Sequence, residues 1–184
     1  MSKLQIINFI ITTKIDNLKN ILKLKIMQRD KAIRDITKEE TLEEIIKSCK
    51  TCHVGMVDGS NKPYVLSFNF GFKSKTIYLH CAKEGKKLEI LKQNNNVCVY
   101  FDTDHEIFSR NETVACSWRM RYRSVMVHGK AEFVEDYDQK IIGLKTMMEN
   151  YSDINFSFSK PAVNNIEVIK IEVSEWTGRS FEYL

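Results

Sequence analysis

Gly85, Lys86 and Lys87 stand where a β-forming run that includes His80 gives way to a helix-forming stretch. A helix N-terminus presents unpaired N–H groups and a partial positive charge. Gly85 lets a ligand approach the backbone closely, and two lysines add full charges, so the spacing suits a phosphate dianion. It is not a Walker loop, because no GxxxxGK pattern is present. An ordinary solvated turn carrying a lysine pair would have the same composition. A lone histidine is more often structural than catalytic, but His80 lies just before this turn, which makes it the candidate catalytic side chain. His105 and His128 have no comparable setting.

A second cluster is Trp118-Arg119-Met120-Arg121-Tyr122-Arg123-Ser124. Three arginines on one face of a strand repel each other unless they are solvated, paired or facing an anion, and arginine suits bidentate contact with phosphate. Ser124 adds a neutral donor. Glutamate-paired arginines on an exposed face, or a surface that stacks single-stranded nucleic acid, would read similarly. A third motif, Cys49-Lys50-Thr51-Cys52-His53, matches the C-x-x-C-H of covalent haem attachment. That chemistry needs export, and the motif completes a helix face and enters a strand, so buried structural cysteines are the expectation. No second C-x-x-C or spaced histidine pair follows, so no metal site is expected. The sequence has no G-x-S-x-G elbow, no H-E-x-x-H and no persuasive carboxylate pair. Any redox or transfer chemistry would then be carried by a cofactor.

The elements that must position these residues are mostly strands. Thr37 and Glu40 have capping-box spacing, and Leu42, Ile45, Ile46 and Cys49 follow helical periodicity, predicting a helix over 38–49. A strand over 53–57 turns at Asp58-Gly59 into a hairpin partner. Residues 63–72 alternate as one strand, with Tyr64, Leu66, Phe68, Phe70 and Phe72 on one face and Val65, Ser67, Asn69 and Gly71 on the other. Further strands are expected over 76–82, 96–103, 114–135 (bent near Arg123–Ser124) and 165–176. Helices are expected over 84–93 and in the stretch carrying Ile141, Leu144, Met148 and Tyr151, while 104–112 reads as irregular. Sequential hairpins with few crossover helices predict an antiparallel barrel.

The chain has 184 residues and 43% hydrophobic residues, enough for one domain with a real core. Its net charge of +4 comes from the N-terminus. Residues 1–31 hold seven basic and two acidic residues, and the remainder holds 21 basic and 22 acidic. A near-neutral body argues against nucleic acid as a partner. Residues 1–26 read as an extension, either an amphipathic helix or a product of an upstream start codon, with 27–184 as the domain proper. Five cysteines without a secretory pattern point to a reducing cytoplasm, and no apolar run reaches membrane-spanning length.

Taken together, CHVGMVDGSNKPYVLSFNFGF (52–72), IYLHCAKEGKKLEIL (77–91), NVCVYF (96–101), RYRSVMVHGKAEFVED (121–136) and TGR (177–179) resemble the FMN-binding split-barrel superfamily. This superfamily includes the pyridoxamine 5′-phosphate oxidases, and within it the chain is most similar to the 5-nitroimidazole-resistance branch. The resemblance implies a mainly β fold with flanking helices, a six-stranded antiparallel split barrel. It implies a homodimer with FMN in the subunit interface. Leu66, Ser67, Phe68 and Asn69 would pass along the isoalloxazine ring, and His80, Gly85, Lys86 and Lys87 would sit by the ribityl phosphate. Tyr122, Arg123 and Ser124 would complete that grip, and His80 would lie near flavin and substrate. An FMN-dependent oxidoreductase follows, taking a small-molecule substrate such as a nitro compound and drawing electrons from a nicotinamide cofactor. A non-enzymatic flavin store or sensor, or a haem-binding relative, stays open beside it.

Overall fold

The computed structural model describes residues 14–15, 18–19 and 33–182. The reading of residues 1–26 as an extension therefore lies, apart from four residues, outside the described residues. No helix among the described residues is long and apolar enough to cross a membrane.

Eight antiparallel strands carry the fold, two more than the six expected. They are β1 (Ile33–Ile36), β2 (Cys52–Val57), β3 (Pro63–Phe68), β4 (Gly71–Lys73), β5 (Thr76–Ala82), β6 (Asn96–Ser109), β7 (Trp118–Phe133) and β8 (Ile166–Phe181). Neighbours run β3-β2-β6-β7-β8-β5-β4, with β1 beside β8. The sheet curls around a core built from alternate residues of its strands, with Val54, Ile77, Leu79, Val99, Phe101, Val125, Val127, Ile169 and Ile171 almost fully buried. It is not a closed barrel: β3 and β4 are its two edges, joined only by the chain between them.

Within residues 33–182 the sheet is flanked by α1 (Glu39–Ser48), α2 (Lys86–Gln93), α3 (Tyr137–Glu149) and α4 (Lys160–Asn164). Helix α1 buries Leu42, Ile45 and Ile46, the stripe its periodicity predicts. The Thr37/Glu40 capping box does not form, because Lys38 is the N-cap residue and no side chain caps the helix. Helix α3 is capped instead by Asp136, whose carboxylate accepts from the Gln139 N–H at 2.9 Å. It packs with α4 on the outside of the sheet in a second apolar cluster, where Leu144, Met147, Val163 and Val168 are buried.

The single strand expected over 63–72 is two strands. β3 pairs with β2, with Cys52 opposite Phe68, and β4 pairs with β5, with Gly71 opposite Tyr78. At the corner between them the Tyr151 hydroxyl accepts from the Phe70 N–H at 2.9 Å and donates to the Lys50 carbonyl at 2.9 Å. Phe70 stays inside, its ring edge-on to Phe101 at 4.9 Å. The stretch expected to be irregular, 104–112, is strand as far as Ser109. The bend falls in β6, between Thr103 and Glu106, where the pairing with β7 shifts and Asp104 has φ 58°.

Candidate functional site

β5 places His80 on the outer face of the sheet and leads through Gly85 into α2. Gly85 is the N-cap of α2 with φ 118°, a backbone conformation open essentially to glycine. No side chain caps the helix, so its first-turn N–H groups are left for solvent or a ligand. A Cβ on Gly85 would sit 3.9 Å from Lys87 Nζ, in the space beneath that ammonium. The two lysines have different surroundings. Lys86 reaches back over the β2–β3 hairpin, 3.7 Å from Asp58 and 5.1 Å from the centre of the Tyr64 ring. Lys87 stays by the turn, close enough to Cys81 for its charge to oppose the upward push that burial gives that thiol.

Leu66 and Phe68 pack against the barrel core, while Ser67 and Asn69 face outward. β3 has a partner on one side only, so its other edge offers main-chain donors and acceptors. The contacts of Lys86 with Asp58 and Tyr64 set the 85–87 turn beside the β2–β3 hairpin, and β5 carries His80 on the strand that leads into that turn. His80 keeps an exposed edge, yet desolvation by its surroundings pulls the imidazole below its ordinary pKa, favouring the neutral form.

Tyr122, Arg123 and Ser124 do not join this region within the chain. His80 is opposite Val168 on β8, and Arg123 is opposite Ser180 on the same strand. Twelve residues separate those partners, which at about 3.3 Å each is roughly 40 Å of strand. The arginines have carboxylates of their own: Arg119 pairs with Glu182 at 3.1 Å, Arg121 with Glu106 at 3.0 Å, and Arg123 with Asp104. Tyr122 stacks on Phe181 with ring centres 6.1 Å apart, and Ser124 is buried. Arg123 also lines an open cleft of ≈ 610 Å³ with Arg34, Asp35, Lys38 and Ser180, where both signs of charge meet.

Residues 38–180 match the family model for pyridoxamine 5′-phosphate oxidase. The chain belongs to the pyridoxamine 5′-phosphate oxidase family. The family match begins at the N-cap of α1 and ends in β8, so it takes in the turn at Gly85 and the Arg123 strand alike. Among solved structures, a presumptive 5-nitroimidazole antibiotic resistance protein from Bacteroides thetaiotaomicron is 39% identical, with a TM-score of 0.72 over 81% of this chain and 89% of that one. An FAD and heme binding protein from Mycobacterium smegmatis shares the fold at 16% identity, with a TM-score of 0.69 over 81% and 74% of the two chains. The flavocytochrome Anf3 from Azotobacter vinelandii does so at 19% identity, with a TM-score of 0.65 over 82% and 70%. A search of curated proteins found no match.

The C-x-x-C-H motif of this family member is mostly interior. Cys49 and Cys52 are buried, and burial pushes their thiols up to about 11 and about 12, with the Asp102 charge adding to the first and Cys49 to the second. His53 lies 3.9 Å from Asp102, which is also 2.9 Å from His105 Nε2. Sequence reasoning did not single out Asp102 as the carboxylate between two histidines; only the pairing of β2 with β6 brings them together. Raised thiol pKa values leave little thiolate, so thiol–disulfide exchange at these cysteines is slow. Ellman's reagent at pH 8 will titrate exposed Cys116 rapidly in the native protein, and all five thiols only after denaturation. A rapid count of four or more would contradict the burial of Cys49 and Cys52. The stability held by these two protonated thiols is complete below their unfolded pKa, near 9, and falls as pH climbs toward 11–12.

Proposed function

We propose that this chain is an FMN-dependent oxidoreductase that acts as a homodimer on a small electrophile such as a nitro compound, with a reduced nicotinamide as electron donor. The observation that carries the reading is the cradle at Gly85. A positive-φ glycine, an uncapped helix start and the Lys87 ammonium lie together at one turn, with open space at the glycine for a ligand to approach the backbone. This suits a terminal phosphate monoester, which is why FMN is favoured over a flavin whose phosphates are bridged. When bound, the flavin supplies the two-electron chemistry.

The protein's own residues hold and orient. Lys87 and the first-turn N–H groups of α2 neutralise the phosphate. The open edge of β3 along Leu66, Ser67, Phe68 and Asn69 offers main-chain donors and acceptors to a flat heteroaromatic ring. His80, held neutral, offers one ring N–H and one ring nitrogen beside that strand. Arg123, on β7 opposite the far end of β8, reaches such a ligand from a second copy of the chain, with Ser124 buried beside it. The likeness to the Bacteroides thetaiotaomicron protein, whose description concerns 5-nitroimidazole resistance, supports a nitro compound as substrate.

The test is a visible spectrum of the purified protein, followed by FMN and FAD titrations read by flavin fluorescence quenching. The expected result is a flavin band or stoichiometric FMN quenching, with FAD bound more weakly, and oxidation of reduced nicotinamide when a nitro compound is added. A colourless protein that quenches neither flavin would end the reading. A bound flavin that no nicotinamide reduces would make the chain a flavin carrier instead.

A further inference from the structure

Of the three fixed residues in the C-x-x-C-H motif, only His53 reaches the surface, with 43% of its side chain exposed. That exposure is one-sided. Nδ1 is buried without a hydrogen-bond partner and lies 3.9 Å from Asp102 Oδ1. The exposed part of the ring is therefore the edge away from Asp102. The other carboxylate oxygen, Oδ2, is 2.9 Å from His105 Nε2, so Asp102 stands between two imidazoles. An imidazole whose Nδ1 faces a carboxylate has its orientation and tautomer set, and Nε2 is left to exchange a proton.

The sheet turns that edge toward residues 66–69. His53 is opposite Ser67 in the β2–β3 ladder and opposite Tyr100 in the β2–β6 ladder. Directly opposed residues share a face, with Cβ atoms about 4.5–5.5 Å apart. Ser67 is short and exposed, so it does not screen the imidazole, and β3 is an edge of the sheet. The titratable groups set against His53 are Tyr100 and Asp102 from β6, with His105 across the carboxylate. From the end of α1 the Cys49 thiol donates to the Asp102 carbonyl at 3.5 Å, and Asp104 beyond it pairs with Arg123.

We propose that His53 is the proton-exchanging residue of the flavin site, with Asp102 as its positioning residue. The role rests on the flavin reading. A reduced nicotinamide is oxidised by giving up a hydride to the flavin, and the flavin takes up one proton besides. The Nε2–H bond of the His53 imidazolium breaks, its electron pair stays on the ring nitrogen, and the proton goes to the flavin. Solvent returns a proton to the exposed edge.

The test uses the full chain loaded with FMN. FMN should shift the His53 ring resonances saturably by NMR, with the same midpoint as fluorescence quenching. The ¹⁵N signals of the neutral ring should show the proton on Nδ1, and Asp102→Ala should abolish that preference. In stopped flow, flavin reduction by excess reduced nicotinamide should slow at least about tenfold from pH 5 to pH 8, the range over which histidine loses its charge. His53→Gln keeps a donor but cannot exchange a proton. It should bind FMN within about threefold of wild type, reduce it at least about tenfold more slowly at low pH, and lose the pH dependence. His53→Asn serves if His53→Gln does not fold. Unmoved His53 resonances, an unchanged tautomer in Asp102→Ala, or a folded His53 variant with the wild-type rate and pH profile would overturn the role. A wild-type protein that does not quench FMN would overturn the flavin reading and this role with it, so the wild-type titration tells the two failures apart.

Discussion

Lys87→Ala will weaken FMN binding by about 10- to 100-fold, the range expected when a charged hydrogen bond worth about 1.5–3 kcal/mol is removed. Lys86→Ala will change it by less than about threefold, since Lys86 is turned toward Asp58 and Tyr64 and its loss leaves the uncapped helix start in place. Arg123→Ala should resemble Lys87→Ala, although Lys87 follows β5, which pairs with one end of β8, and Arg123 is on β7, opposite the other end. The decisive measurement is a mixture. Where each site takes its turn from one copy and its arginine from the other, a dimer of one Lys87→Ala chain and one Arg123→Ala chain holds one doubly defective site and one intact site. After subunit exchange in equal proportions, roughly a quarter of all sites should regain wild-type affinity in a fluorescence titration, by the statistics of a two-fold dimer. A mixture no better than either variant alone would place both residues in one chain's site, or the phosphate elsewhere.

The arginine strand shows why sequence alone stops short here. Its composition fits an anion site and an array of ion pairs equally well. The carboxylates that pair with it lie on β6 and at the end of β8: Glu106, Asp104 and Glu182. Glu182 is 63 residues from its partner Arg119. The turn at Gly85 was more legible because its determinants are local: strand, glycine, lysine pair, helix. Even there, only tertiary contacts separate Lys86 from Lys87.

The division of 63–72 into β3 and β4 was hidden for a related reason. Alternation reports which face a side chain takes, and Phe70 and Phe72 stay inward on either side of the break. What turns the chain is Tyr151, 81 residues from Phe70. The extension of β6 beyond Thr103 was masked because its residues are matched only across the ribbon: Glu106 opposite Arg121, Ile107 opposite Met120 and Phe108 opposite Arg119. The missing capping box has a local cause, since Lys38 is already extended and helix α1 starts one residue later than the box requires.

The corner that Tyr151 anchors gives the largest expected change in stability. A Cβ on Gly71 would lie 2.5 Å from the Met147 nitrogen, 2.6 Å from the Thr146 carbonyl carbon and 2.7 Å from the Met147 Cα. These are main-chain atoms inside α3, so no side-chain rotation relieves the overlap. Either β4 or the end of α3 must move, and β4 is held through its register with β5. Gly71→Ala should therefore cost about 3 kcal/mol or more, at the upper end of ordinary overpacking, and lower the melting temperature by roughly 6–12 °C for a chain of this size. Tyr151→Phe removes the acceptor for the Phe70 N–H and the donor to Lys50, and should cost about 1–3 kcal/mol. Thermal melts followed by circular dichroism rank the two. A melting temperature within 1–2 °C of wild type, a shift worth only about 0.5 kcal/mol, would show that α3 can slide on β4 without strain.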